Sequence, residues 1–321
     1  MSDTLPTVLL TNAIHPDGEA ILAPHARLVL APDTKPETLR ALAADATGIV
    51  VRAKLPDDIA DRAPKLRGMV RHGVGLDFIP VEAATRKGIA VANLPGSNTQ
   101  AVVEYVLSAI FHLRRPVYRL DAGLRAEGWL KARPLADTLA EVGGTTLGIL
   151  GVGAIGGLLA QRARLGLGMR VVGTSRRKGN LPEGVEEVDV DRLFAEADVV
   201  ALTCALTDET RGIANRARIG SMKSDAVLIN VSRGPVVDTA ALIEALKGRR
   251  IAGAALDVFD TQPLPADDPL LSCPNLLLSP HSAALTATSG RAMSIGAAAE
   301  MVRILRGEDP VNLVNPDYKR A

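Results

Sequence analysis

Short apolar runs recur along this chain at nearly constant spacing, and they restrict its fold more than any other feature. The first series starts at residues 7, 27, 47, 67 and 88 (TVLLT, RLVLA, TGIVV, RGMVR, GIAVAN). From residue 146 a second series begins: TLGILG, MRVVGT, DVVALTC, DAVLINVS, IAGAALDV and NLLLSP. Helix-like patterns fill the gaps. Continuously apolar strands, as opposed to alternating ones, belong to parallel sheets covered by helices on both faces. The two series therefore predict an α/β chain of two domains, in keeping with its 321 residues, a length above the usual single-domain size.

The stretch between the series is less regular. A helix is expected from Thr99 to Arg115, stopped by Pro116. Residues 117–145 then form a polar stretch holding the one tryptophan, Trp129, too long for an ordinary connection. An arm packing on a second subunit and a surface lid both fit it. After His281 the segment TSGRAMSIGAAAEMVRILRG reads as a helix that carries the chain back to the first domain. The predicted division is residues 1–98 plus 287–321 against residues 99–286.

A formal charge of +1 argues against a broad nucleic-acid or membrane surface. The longest apolar stretch, AVVEYVLSAIFHL, is interrupted by Glu104 and is too short to span a bilayer. Pro6 and polar residues occupy the N-terminus where a signal peptide would be apolar. A cytoplasmic protein is expected. Cys204 and Cys273 lack metal-ligand spacing, so no metal site is expected.

Gly151-Val152-Gly153-Ala154-Ile155-Gly156 follows a predicted strand and opens a predicted helix, the context in which G-x-G-x-x-G binds a dinucleotide. Gly151 permits the tight turn, Gly153 the approach of the pyrophosphate, and Gly156 close helix packing. The next strand ends in Thr174-Ser175-Arg176-Arg177-Lys178, with no carboxylate for a ribose 2′-hydroxyl. A hydroxyl followed by guanidinium groups suits a 2′-phosphate, so NADP is expected over NAD. Ligands of open parallel sheets bind outside the carboxyl ends of the strands. Gly151, Ser175, Cys204, Arg233, Asp257 and His281 each follow a predicted strand and should converge there. Arg233 offers the guanidinium fork that a carboxylate fits, and His281 a proton donor effective near neutrality.

In order and spacing, HGVGLDFIP (72–80), NLPGSNTQAVVEY (93–105), GILGVGAIG (148–156), NVSRGPVVD (230–238), LDVFDTQPLP (256–265) and SPHSAALT (279–286) resemble the D-isomer-specific 2-hydroxyacid dehydrogenase family. The resemblance covers nearly the whole chain. It implies a flavodoxin-like substrate domain, a Rossmann cofactor domain of doubly wound parallel sheet, a cleft between them, and a homodimer joined through the arm at 117–145. It implies that Arg233 holds the substrate carboxylate and polarises the 2-oxo group. His281 matches the acid/base, and Asp257 the carboxylate near the nicotinamide. Val74 and Gly75 match the loop whose N–H groups receive the carboxylate. Asn98 and Glu104 match positions near the cleft, Glu104 in support. His72 precedes the cleft loop, within reach of substrate; His15, His25 and His112 carry no pattern and read as surface or packing residues.

One position departs from the family. Gln262 stands where the family carries the glutamate that hydrogen-bonds the catalytic histidine. An amide orients the ring without supplying charge, so His281 is expected to be less basic than in glutamate-bearing relatives. Asp260 lies two residues away and is not assigned as a substitute. Formate dehydrogenases of the same superfamily carry glutamine with histidine, which leaves formate oxidation as an alternative. A dinucleotide-sensing binding protein resembling the family's corepressors is another. Arg52 and Lys54 follow the third strand, where they would meet a second anionic group on the substrate or lie solvated at a loop tip. The substrate expected is a small 2-oxo or 2-hydroxy acid, with glyoxylate and hydroxypyruvate first.

Overall fold

The computed structural model describes residues 5–176 and 179–320. The chain divides between Asn98 and Thr99 and again between Ala284 and Leu285, giving two compact units. Leu285 and Thr286 fall in the first unit, two residues ahead of the division read from the sequence.

The first unit holds five parallel strands: β1 (Thr7–Leu10), β2 (Arg27–Leu30), β3 (Gly48–Val51), β4 (Gly68–Arg71) and β5 (Ala90–Ala92). Their order is β2-β1-β3-β4-β5, the flavodoxin-like order. Each apolar run of the first series supplies one strand. β3 is buried at every residue because both sheet faces are covered. One face carries Leu39, Ile59 and Ile79. The other carries Met293, Ala297, Met301 and Ile304 from the helix Ala287–Leu305. That helix begins at a capping box of Thr286 and Ser289, which satisfies orphaned N–H groups and sets where the helix starts.

The second unit has seven parallel strands: β6 (Thr146–Leu150), β7 (Arg170–Thr174), β8 (Val185–Glu187), β9 (Val199–Leu202), β10 (Val227–Asn230), β11 (Gly253–Leu256) and β12 (Leu276–Leu278). The order β12-β11-β10-β9-β6-β7-β8 reverses at β6, as in a Rossmann sheet. Six strands come from the six apolar runs. The seventh, β8, reads Val-Glu-Glu and is invisible to a hydrophobicity argument. It pairs only with β7 at the sheet edge, where polar side chains reach water.

The helix Thr99–Arg114 packs in the core of the second unit through Val103, Val106 and Ile110. Beyond Pro116, the helix Val117–Glu127 has no buried residue. Trp129 and Leu130, which follow, are 69% and 88% exposed. Among the described residues no helix is long and apolar enough to cross a membrane.

Candidate functional site

In the second unit the expected residues stand at the carboxyl ends of adjacent strands. Gly151 follows β6 directly, Ser175 follows β7, and Asp257 follows β11. Cys204 lies just beyond β9, Arg233 just beyond β10 and His281 just beyond β12. Parallel pairing forces this grouping, since every strand ends at the same edge.

The glycine turn is built as its sequence requires. Gly151 has φ of 97°, and a Cβ there would lie 2.5 Å from Cys204 Cα. A Cβ on Gly156 would lie 2.5 Å from the Gly151 carbonyl oxygen. At Gly153 the space that a Cβ would take is empty within 4 Å. The helix Ala154–Leu167 starts there with no side chain capping it. The first N–H groups, of Ala154, Ile155 and Gly156, therefore present the positive end of the helix to an anion. The open cradle at Gly153 fits a dinucleotide pyrophosphate. Cys204 is half-buried, and burial pushes its thiol pKa up; its backbone supplies the wall behind Gly151. Ser175 is half-buried and Arg176 exposed beyond β7. Arg177 lies outside the described residues.

Arg233 precedes a 3-10 turn, Gly234–Val236, that packs against the chain after β11. A Cβ on Gly234 would overlap the backbone of Phe259 and Asp260, so only glycine fits there. Asn230 fixes the turn from inside: its Nδ2 donates to the Arg233 carbonyl and its Oδ1 accepts from Ser232 N–H. Arg233 itself is partly exposed, and its Nη1 donates to the Ser232 carbonyl at 2.7 Å.

His281 is gripped by Asp257. The Asp257 carbonyl accepts from His281 N–H, Oδ1 from Ser282 N–H at 2.7 Å, and Oδ2 from Ala283 N–H at 2.9 Å. Ser279 Oγ also donates to Oδ1. Expected near the nicotinamide, Asp257 is 2% exposed and both its carboxylate oxygens engage this loop. Such charge-assisted bonds are worth about 1.5–3 kcal/mol each. Together they hold His281 at φ of 53°, a left-handed conformation that costs a non-glycine residue about 1–3 kcal/mol.

The ring of His281 is set by Gln262. Nδ1 lies 2.9 Å from Gln262 Oε1, while Gln262 Nε2 donates to the Phe259 carbonyl. That second bond fixes the amide, so its oxygen faces the ring and Nδ1 carries the proton. Nε2 is then the exchanging nitrogen. Asp260 is turned away to accept from Thr239 Oγ1, which leaves the amide as the polar partner of Nδ1.

Sequence reasoning missed Tyr105. Its hydroxyl donates to Ser279 Oγ at 2.6 Å and so reaches Asp257. Burial and then the Asp257 charge push its pKa up. Glu104, the neighbour expected in support, is exposed and accepts from Gln100. Alternation of apolar and polar residues along a helix points to its buried face but not to a hydroxyl that leaves it.

In the first unit, Arg52 and Lys54 follow β3, and Val74 and Gly75 follow β4. Arg52 is half-buried and donates to the Ala13 carbonyl, whereas Lys54 is exposed. Asn98 is the last residue of this stretch, and its Oδ1 is buried with no partner among the described residues. His72 is buried, and Ser294 fixes its tautomer. The Ser294 hydroxyl donates to the Gly290 carbonyl and accepts from His15 N–H, leaving a lone pair for His72 Nε2–H at 2.8 Å. Burial, then the charges of Arg52 and Arg71, push the His72 pKa down to about 4. Among the described residues no group of three or more His, Cys, Asp or Glu side chains is placed to hold a metal.

His72 makes the fold acid-sensitive. In the unfolded chain it titrates near 6.5, so its contribution is fully present above that pH and is lost as pH falls toward 4. The loss is about 3 kcal/mol over that window. Urea midpoints of the wild type should fall from pH 6.5 to 4, and His72→Gln should flatten that part of the curve. Parallel curves would assign the acid sensitivity elsewhere.

Residues 107–283 match the family model described as D-isomer specific 2-hydroxyacid dehydrogenase, NAD binding domain. The chain belongs to the D-isomer-specific 2-hydroxyacid dehydrogenase family. It is an oxidoreductase of the class that acts on CH–OH donors. The dehydrogenase is 36% identical to a glyoxylate reductase of Korarchaeum cryptofilum over 98% of both chains. Among solved structures it resembles the TT0316 protein of Thermus thermophilus, at TM-score 0.87 and 33% identity, covering 96% of this chain and 99% of that one. It also resembles the NADPH-dependent glyoxylate/hydroxypyruvate reductase SMc04462 of Sinorhizobium meliloti in complex with NADP and malonate, at TM-score 0.85 and 28% identity over 98% of both chains.

Proposed function

We propose that this dehydrogenase is an NADP-preferring reductase of small 2-oxo acids such as glyoxylate or hydroxypyruvate. The observation that carries the reading is that the histidine held by Gln262, an arginine and an uncapped glycine-turn helix all follow strands at the same carboxyl edge of one sheet. The named activities of the relatives support it.

Gly151–Gly156 with Ser175, Arg176 and Arg177 would hold the dinucleotide, which when bound would supply the hydride. Arg233 pairs with the substrate carboxylate and polarises the 2-oxo group, so that negative charge growing on oxygen meets a fixed cation. Val74 and Gly75 donate N–H groups to the same carboxylate, and Arg52 with Lys54 faces any second anionic group. As the carbonyl carbon gains its hydrogen, the oxygen takes a proton from His281 Nε2–H, and Gln262 Oε1 keeps Nδ1–H in place throughout. Asp257 acts by holding the His281 loop. Asn98, at the passage between units, is assigned to the substrate side. The two units, divided after Asn98 and after Ala284, serve this one reaction. The exposed apolar side chains of the 117–145 stretch, Trp129 and Leu130 first among them, are assigned to the contact between two copies in a homodimer.

Initial rates of NADPH and NADH oxidation against a panel of 2-oxo acids test the assignment, with formate oxidation run in reverse. Saturable glyoxylate or hydroxypyruvate reduction preferring NADPH is expected. Turnover of formate alone would favour the glutamine–histidine chemistry of formate dehydrogenases. Dinucleotide binding without turnover would favour a sensor.

Two variants probe the parts. Neutralising Arg176 and Arg177 together should weaken NADPH binding by about tenfold or more and leave NADH nearly unchanged. Equal losses would remove the 2′-phosphate assignment. Gln262→Glu places a carboxylate on Nδ1–H and favours the imidazolium. Reduction needs that protonated form, so the basic limb of the pH–rate profile should move up by about one unit. A fixed limb would mean that Gln262 leaves His281 before the reaction.

A further inference from the structure

The turn after β4 has an unusual economy of carbonyls. Four consecutive ones are taken by the unit's own donors. Arg71 Nη1 donates to the His72 carbonyl at 3.3 Å, and Leu94 N–H to that of Gly73 at 2.8 Å. Asn93 Nδ2 donates to the Val74 carbonyl at 2.7 Å, and Arg71 Nε to that of Gly75 at 3.0 Å. Arg71 is itself anchored, donating to the Val51 carbonyl at 2.7 Å and lying 4.5 Å from the centre of the Phe78 ring.

In a trans peptide the carbonyl of one residue and the N–H of the next point in opposite directions. Holding the carbonyls of Gly73, Val74 and Gly75 therefore aims the N–H groups of Val74, Gly75 and Leu76 away from those donors. None of these three N–H groups has a backbone acceptor among the described residues. Successive outward N–H groups form a concave anion site. Gly73, at φ of 144°, lets the chain enter it.

We propose that Arg71 and Asn93 are positioning residues that build this site. Asn93 aims the Gly75 N–H and Arg71 aims the Leu76 N–H, so that a third donor, Leu76, joins Val74 and Gly75 on the substrate carboxylate. The proposal rests on the 2-oxo acid reading above. Neither side chain touches the substrate; the Arg71 charge adds attraction from behind the turn.

Asn93→Ala and Arg71→Lys test it in the full chain. Lysine keeps the charge and loses the fork that spans the carbonyls of Val51, His72 and Gly75, which separates aiming from attraction and spares the fold. KM for glyoxylate and the inhibition constant of oxalate should rise together, by about tenfold in each variant. The value of kcat should stay within about threefold, with NADPH affinity and melting temperature near those of the parent. Unchanged KM and oxalate inhibition would overturn the proposal, as would kcat, NADPH affinity and melting temperature all falling together. Calorimetric titration with oxalate needs no turnover. A parent chain that reduces no 2-oxo acid refutes the functional reading alone, whereas equal oxalate affinity in parent and variants refutes the role of Arg71 and Asn93.

Discussion

Arg233→Ala should lower kcat/KM for glyoxylate by about a thousandfold or more, with NADPH affinity nearly unchanged. The side chain is placed by a turn that tolerates little variation. Gly234 meets the backbone of Phe259, and Asn230 ties the turn on both sides. The guanidinium is therefore presented without a search through backbone conformations. In the proposed reaction it would meet a carboxylate in the ground state and a growing oxyanion in the transition state, so its removal should raise KM and lower kcat together. Backbone packing at Gly234 and the two Asn230 hydrogen bonds hold the turn besides the Arg233–Ser232 bond, which is why the dinucleotide should still bind. Steady-state kinetics with a fluorescence titration of NADPH would measure both quantities. A loss confined to KM would reduce Arg233 to a binding group, and a parallel collapse of NADPH affinity would make it structural.

His281→Asn should cost about 10²–10⁴ in kcat for 2-oxo acid reduction. Asparagine is at home in the left-handed conformation that His281 adopts. The Asp257 grip on residues 281–283 should therefore survive, and the variant tests proton donation and not loop geometry. A solvent isotope effect on kcat in the parent that disappears in the variant would mark the lost proton transfer. A kcat within tenfold of the parent would move the donor role away from His281, with the Tyr105–Ser279–Asp257 chain the next place to look.

The relation of these residues to their sequence is uneven. Arg233, His281, Gln262 and the glycine turn were each legible, because a short motif fixes a local backbone and the strand before it fixes which edge it reaches. Arg71, Asn93 and Tyr105 were not. Arg71 ends an apolar run with no motif to mark it, and its guanidinium lies behind the turn that follows. Asn93 acts on Val74, which is remote from it in sequence, and Tyr105 acts on Ser279, more remote still. Asp257 was legible as a site residue, but its three-oxygen hold on residues 281–283 was not.

By itself, then, the sequence determined every strand but one, their parallel class and the glycine turn, and it nominated the groups proposed to react. All follow from local rules: apolar periodicity, glycine sterics and the chemistry of side chains. Only the tertiary structure decided which donors hold which carbonyls, the tautomer of His281 and the burial of His72. Those depend on groups far apart in the chain meeting at fixed distance and orientation, and hydrogen bonds lose their strength within fractions of an ångström and tens of degrees. The edge strand β8 belongs with them, since one paired neighbour rather than its own composition makes it a strand.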